Sequence, residues 1–188
     1  AIGCDLLSAT GRTYLRGPRG PGVLYVRSSI VESLQSTQPD HHGAELVATD
    51  RFEYAEGARR FEHWEHNVAG WLGLGAAVDH ALGWGIDRIE ATVTERAAEL
   101  RERLADAGMI VWDEGVERCG IVTVTHPRVG ADVLRARLAG QRINATTTPP
   151  GSARWDVERR NLPTLLRLSV HVTTTPAELE RTAEILGR

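Results

Sequence analysis

The chain has 188 residues, 41% apolar, 25% charged and 5% aromatic, with a formal charge of −3, a composition suited to one globular domain or slightly more. All 22 basic residues are arginine, so no side chain carries an amine to condense with a carbonyl group or to serve a lysine-dependent phosphate loop. The 25 acidic residues outnumber the arginines and interleave with them, which argues against a nucleic-acid surface.

In chain order, residues 1–10 form an apolar run that closes in a polar cluster, and a short buried strand leading to a turn is expected. Gly17-Pro-Arg-Gly-Pro-Gly22 followed by Val23-Leu-Tyr-Val26 reads as a turn and a second strand, the two strands making a sheet edge. Residues 28–62 lack sustained periodicity and are expected to be a long surface excursion with short helical or extended pieces. From Asn67 the pattern turns helical. Apolar residues surround most of the circumference, predicting a helix buried on nearly every side at a subunit or domain interface, with Gly70, Gly73 and Gly75 permitting close approach. The stretch from Val68 to Ile86 also carries Asp79, His80 and five glycines, which suits a buried helix and not a membrane span.

Gly83-Trp-Gly85 breaks that helix, and Ile86, Ile89, Val93, Ala97, Leu100 and Leu104 then recur at a helical period up to Gly108. Residues 109–112, 120–125 and 143–148 read as extended, with a short helix over 132–138. Leu166-Arg-Leu-Ser-Val-His-Val172 alternates, placing Arg167, Ser169 and His171 on one face of a strand and Leu168, Val170 and Val172 on the other. Thr175-Pro-Ala-Glu178 has the order of a capping box and opens a last helix with a core stripe at Leu179, Thr182, Ala183 and Leu186. Cys4 and Cys119 are unclustered and no basic, apolar leader pattern opens the chain, so free thiols in a cytoplasmic protein are expected.

The run Gly3-Cys-Asp-Leu-Leu-Ser-Ala-Thr-Gly-Arg-Thr-Tyr-Leu-Arg-Gly-Pro-Arg-Gly-Pro-Gly-Val-Leu-Tyr-Val-Arg27 resembles the class V aminotransferase and cysteine desulfurase family of pyridoxal-phosphate enzymes. That family shows an Asp at a strand end, a hydroxyl-rich turn, a lysine eight residues after the Asp, and a Gly-Pro-x-Gly-x-Gly-x-Leu-Tyr run. Here Asp5 plus eight falls on Thr13. Arg60-Phe-Glu-His-Trp-Glu-His-Asn67 is similar to the family loop that reaches the cofactor phosphate of the partner subunit, and Leu166-Arg-Leu-Ser-Val-His171 to the strand whose arginine binds the substrate carboxylate. The Thr-Gly-Arg turn and the Arg-Phe-Glu-x-Trp-Glu block are nearest the desulfurase-like or carbon-sulfur lyase-like branch.

The resemblance implies an α/β chain: the end of a fold type I large domain over 1–85, with sheet strands, interface loop and long helix, then a linker helix and a small α/β carboxy-terminal domain over 86–188. It implies pyridoxal phosphate as cofactor, with covalent attachment to this chain excluded because Thr13 stands at the lysine position. Thr10, Arg12, Trp64 and Glu65 are the implied cofactor contacts, and Arg167, His171 and Asn67 the implied substrate contacts.

Each has a plainer reading. Thr10 can close a local turn bond, Arg12 can be solvated, and Arg167 can pair with Glu158 or Glu65. Glu65 would repel a phosphate unless an arginine neutralises it, and His171 can simply be a satisfied polar residue at a strand end. Glu62, His63, Glu65 and His66 are rich in ligand atoms but lack matching third and fourth partners, so no metal is expected.

Two functions remain open. One is the carboxy-terminal half of an enzyme acting on a small or sulfur-containing amino acid, with a partner chain supplying the missing half and the lysine. The other is a non-catalytic relative serving as a binding or dimerisation module. A homo- or hetero-oligomer is expected in either case, without nucleic acid or membrane.

Overall fold

The computed structural model describes residues 3–188; Ala1 and Ile2, which the sequence reading placed in the first strand, lie outside them. The chain divides into two compact units, Ala1–Trp84 and Gly85–Arg188.

In the first unit, β1 (Leu6–Thr10) pairs antiparallel with β2 (Gly22–Val26), Leu6 opposite Val26 and Thr10 opposite Gly22. The long connection between them is folded on its own backbone: Gly11 N donates to Pro21 O at 3.1 Å, Gly17 N to Gly11 O at 2.9 Å, and Arg16 N to Thr13 O at 3.0 Å, with Arg16 at φ +59°. A four-residue helix α1 (Ser28–Val31) follows, then a hairpin of β3 (Ala44–Ala48) and β4 (Arg51–Tyr54) with a bulge between Leu46 and Ala48, and a 3₁₀ turn over Gly57–Phe61.

The 17-residue helix α2 (Val68–Trp84) closes the unit. A Cβ on Gly73 would run into the Pro18 ring and one on Gly70 into Asn67 and Pro21, so these two glycines let the proline-rich connection lie against the helix. Gly75 has nothing within 4 Å.

Two expectations for this unit are corrected. The first strand is not buried: Leu6 is 52% exposed. Nor is α2 covered all round, for Gly70 and Leu74 are its buried residues while Leu72 and Leu82 are 72% and 61% exposed. Apolarity around a whole circumference signals a need for neighbours, and among the described residues of this unit α2 meets them toward Pro18 and Pro21 and, at Trp71, in the His66 ring.

Where no periodicity is visible, polar hubs hold the chain. Arg60 is buried at 4% exposure. Its guanidinium donates to Ala55 O at 3.2 Å, Val31 O at 3.0 Å and Leu34 O at 3.2 Å, pairs with the Glu32 carboxylate, and sits 5.6 Å from the centre of the Tyr54 ring. Asp40 gathers the loop that leads to α2: Oδ2 accepts from Trp64 N at 2.7 Å, and Oδ1 from His42 N at 2.8 Å and Gly43 N at 3.2 Å.

In the second unit, α3 (Ile86–Asp106) begins after Gly85, whose φ of +88° marks the break from the preceding helix. Strands β5 (Ile110–Val111), β6 (Ile121–Thr125), β7 (Thr146–Thr148) and β8 (Leu165–Ser169) form one antiparallel sheet in the order β5-β6-β8-β7. Helices α4 (Ala131–Gly140) and α6 (Pro176–Leu186) join α3 on one face, where Ala97, Leu104, Leu134, Leu138, Val122, Val124, Leu166 and Leu186 are completely buried.

The opposite face is covered more thinly by a short helix α5 (Arg154–Val157) and its flanks, through Val157, Leu162 and Leu165 with Trp112 and Ala153. The capping box of α6 forms as its residues predict: Glu178 N donates to Thr175 Oγ1 and Thr175 N to Glu178 Oε2, which also holds the Glu178 carboxyl below its usual value.

Arg101, on α3, is the buried cation of this unit at 6% exposure. Its Nε lies 2.6 Å from Asp113 Oδ2, and Nη2 donates to Cys119 O at 2.8 Å and Ile121 O at 3.3 Å. Arg101→Ala would leave the largely buried Asp113 without its cation, and is expected to cost about 3–5 kcal/mol in denaturant unfolding. Arg101→Lys is expected to recover only part, because one ammonium cannot span acceptors set around a planar fork. A loss under about 1 kcal/mol for the alanine variant would contradict the assignment.

The Asp40 carboxyl is held at about 2, chiefly by the Trp64 N–H and then by that of His42. In the unfolded chain it titrates near 3.9. Its folded value is the lower one, so its stabilising contribution is complete above the unfolded value and is lost as the pH falls through about 2. Acid titration of tryptophan fluorescence between about pH 4 and 2 is expected to report release of the Trp64 loop, and Asp40→Asn to flatten that limb. An unaltered limb in the variant would show that other carboxyls control it.

Candidate functional site

The site residues read from the sequence fall into two groups, one in each unit. In the first unit Thr10 ends β1, and Arg12 and Thr13 occupy the turn beyond it, all three exposed. Arg12 makes no ion pair among the described residues. The backbone bonds of Gly11, Gly17 and Pro21 hold this turn, and the part played by Thr13 is its carbonyl, which accepts from Arg16 N. The hydroxyl of Thr10 and the guanidinium of Arg12 are thus free to face an anion, while a threonine hydroxyl at position 13 cannot form an imine.

The loop before α2 is ordered by its acidic and aromatic residues. Trp64, 57% exposed, donates its backbone N–H to Asp40 and packs its ring against His41 at 5.2 Å and His42 at 5.8 Å between centroids. His42 Nε2 lies 3.1 Å from Glu62 Oε2, and His66 stacks on Trp71 at 4.6 Å. Glu65 is exposed and has no ion pair among the described residues, so no arginine offsets its charge there. Asn67 caps α2, its Oδ1 accepting from Gly70 N at 2.9 Å; only its amide nitrogen is left to face a ligand. Among the described residues no group of three or more His, Cys, Asp or Glu gathers to hold a metal ion.

In the second unit Arg167 lies in the middle of β8, opposite Thr123 of β6 and Thr146 of β7, on the sheet face away from the helical core. Its Nε is buried and meets no hydrogen-bond partner among the described residues. Glu158, the expected structural partner in this unit, is taken by Arg154 at 3.1 Å. A buried guanidinium donor left open is costly unless something accepts from it, and a planar fork suits a carboxylate. His171 stands two residues beyond the end of β8, half-buried, its backbone N–H donating to Thr174 Oγ1 at 3.0 Å.

The same face of this sheet carries a cavity of about 310 Å³ that the sequence reading missed, with Trp112, Asp113, Thr123, Val157, Arg160 and Leu165 among its walls. Arg160 Nη2 donates to Trp112 O at 2.8 Å and pairs with Glu114 at 3.0 Å, while Nη1 meets Asp156 at 3.2 Å, leaving the guanidinium 5.9 Å from the Trp112 ring centre. Trp112 Nε1 is satisfied by Thr125 Oγ1 at 2.8 Å, and Asp113 is held by Arg101 from α3. The legible signal was Trp112-Asp-Glu114, an aromatic and two acids just after a strand. The covering residues 150–162 carry no period that would announce them.

The aminotransferase class-V family model matches residues 1–182. A cysteine desulfurase of Dickeya dadantii (strain 3937) is 39% identical over 192 residues, covering 100% of this chain and 45% of its own length. A probable hercynylcysteine sulfoxide lyase of Mycobacterium tuberculosis (strain CDC 1551 / Oshkosh) is 34% identical over 189 residues, covering 99% of this chain and 45% of the relative. The apo structure of a cysteine desulfurase from Thermococcus onnurineus NA1 superposes with a TM-score of 0.88 at 23% identity, over 97% of this chain and 46% of that one, a likeness of fold. The chain therefore spans about half the length of the curated relatives it matches. On the match of its family model and on these identities, the chain belongs to the aminotransferase class-V family.

Proposed function

We propose that this chain is the amino-acid-binding portion of a carbon-sulfur lyase-like or desulfurase-like enzyme, with Arg167 taking the substrate carboxylate. The observation that carries this reading is the buried, unpartnered Arg167 Nε on the open face of the second unit's sheet. Membership of the family and relatives named as a desulfurase and a sulfoxide lyase support it. The substrate class is an amino acid bearing sulfur, and the working form is an oligomer completed by the polypeptide that corresponds to the rest of the relatives' length.

Pyridoxal phosphate is the cofactor this family implies, and the residues here fit it only in part. The exposed Thr10 hydroxyl and Arg12 guanidinium suit a phosphate. The aldehyde finds no match, since position 13 is a threonine and the chain has no lysine. No chemical step is assigned to the cofactor on these residues, and a catalytic amine would come from outside them. That mismatch also supports a second reading, in which the chain is a non-catalytic relative that keeps the carboxylate-binding surface as a binding or dimerisation module.

Arg167→Ala is expected to abolish binding of an amino acid by its carboxylate, by at least about tenfold in calorimetry, with the fold retained. Unchanged affinity would return Arg167 to a structural role. An absorbance scan separates the two readings: the enzyme reading expects a cofactor band near the visible edge in the presence of the completing polypeptide, and a homogeneous preparation without it, alone and with any co-encoded partner, leaves the binding module. Thr13→Lys within the completed fold is expected to be trapped by borohydride as a pyridoxyl adduct at residue 13. Its absence would show that position 13 is not the family's lysine position.

A further inference from the structure

We propose that two copies of this chain clasp each other through their first units: Arg16 and Arg19, on the turn after β1 of one copy, meet Glu45 and Glu53 on the β3–β4 hairpin of the other, and the reverse contact forms at the same time. The clasp is independent of Arg167, and it leaves Thr10 and Arg12 to face an anion.

Charge is divided unevenly within this unit. Between Gly11 and Gly20 the only charged side chains are Arg12, Arg16 and Arg19, all of them exposed. Over residues 40–66, seven acidic residues stand against three arginines. The two stretches do not serve each other inside one copy. Arg27 is taken by Asp5, Arg60 by Glu32, and His42 lies 3.1 Å from Glu62. Arg16 and Arg19 enter no ion pair among the described residues.

The hairpin carries a conflict of its own. Glu45 and Glu53 are direct cross-strand partners and both are exposed, and like charges placed opposite each other destabilise a strand pair. Arg51 approaches Glu53 only to 3.8 Å, and Glu45 has no cation among the described residues. A guanidinium laid across the pair turns the repulsion into two attractions, since its planar fork has donors enough for two carboxylates.

Both halves of this contact lie on one chain, so a second copy related by a twofold axis satisfies each of them twice. The backbone that carries the arginines is already formed. Gly11 N donates to Pro21 O, Gly17 N donates to Gly11 O, and Arg16 is held at φ +59°, a left-handed conformation that costs a non-glycine residue about 1–3 kcal/mol. A preformed turn loses less freedom on docking. Exposed ion pairs are individually weak, so the charges select which faces meet. Apolar surface beside them supplies the affinity, Val23, Leu24 and Tyr25 next to the turn and Leu46 and Phe52 on the hairpin all being exposed.

The test is sedimentation equilibrium of the full chain, with charge exchange as its control. The unaltered chain is expected to dimerise at about 0.1 mM, and its dissociation constant to rise about tenfold or more between about 0.05 and about 0.5 M salt. Arg16→Glu with Arg19→Glu, and separately Glu45→Arg with Glu53→Arg, are each expected to be monomeric at the lower salt. Mixed in equal amounts, the two reversed chains are expected to form a heterodimer, because each turn then faces a hairpin of opposite sign. A chain carrying all four changes is expected to regain the homodimer. A monomeric unaltered chain, a dimer indifferent to salt, a dimer that persists in either reversed chain, or folded reversed chains that do not pair when mixed each overturns the proposal. The salt series uses the unaltered chain and decides the matter where a reversed chain fails to fold.

Discussion

A buried guanidinium organises each unit of this molecule. Arg101 reaches from the long helix α3 into the segment between β5 and β6, satisfying one carboxylate and two backbone carbonyls at once. Without it, the largely buried Asp113 carboxylate would lose its cation and keep the longer bond from Thr123 N at 3.3 Å. Because the fork is planar and rigid, it also fixes where Asp113 stands, and so sets one wall of the cavity beside Arg167. Arg60 does the parallel work in the first unit, tying α1 and the 3₁₀ turn through three carbonyls and Glu32. A chain built with arginine alone can afford such hubs because five donors radiate from one buried group; an ammonium has a single point from which to donate.

The elements that were legible are those whose own residues decide them. α3 and α6 carry helical apolar stripes, α6 has its capping box, and β8 alternates cleanly, so local chemistry and tertiary packing agree. The β3–β4 hairpin and α5 were not legible, because their residues bury little in a regular period and are held by contacts distant in sequence, such as Tyr54 on Ser36 and Arg160 on Trp112. The exposure of α2 was misjudged for a related reason: apolar content states how much surface a helix has to cover, and says nothing of what covers it. Arg60 and Arg101 were invisible as hubs, since a buried arginine looks like any solvated one until its acceptors are located.

Of the candidate site, Arg167 stood out because an arginine in a strand interior is conspicuous, and the structure gives it an unanswered donor. Asn67 and Trp64 were found by pattern, and both have structural duties in addition, one capping α2 and the other anchoring its loop to Asp40. The cavity walls could not be read at all. They are assembled from β5, β6, β7, α5 and β8, whose residues lie up to 53 positions apart between Trp112 and Leu165, and only the register of the sheet brings them together.

The turn after β1 carries a consequence for how such a protein changes over time. Its shape is held by the carbonyls and N–H groups of Gly11, Gly17 and Pro21 and by the seating of Pro18 and Pro21 on two glycines of α2, with the side chain of residue 13 outside that scheme. Replacing whatever stands at 13 therefore leaves the scaffold intact. Folding quality control, which senses unfolded chain, has nothing to register in such an exchange. An exposed side chain of this kind is set by what it meets in solvent and hardly by what the fold requires of it.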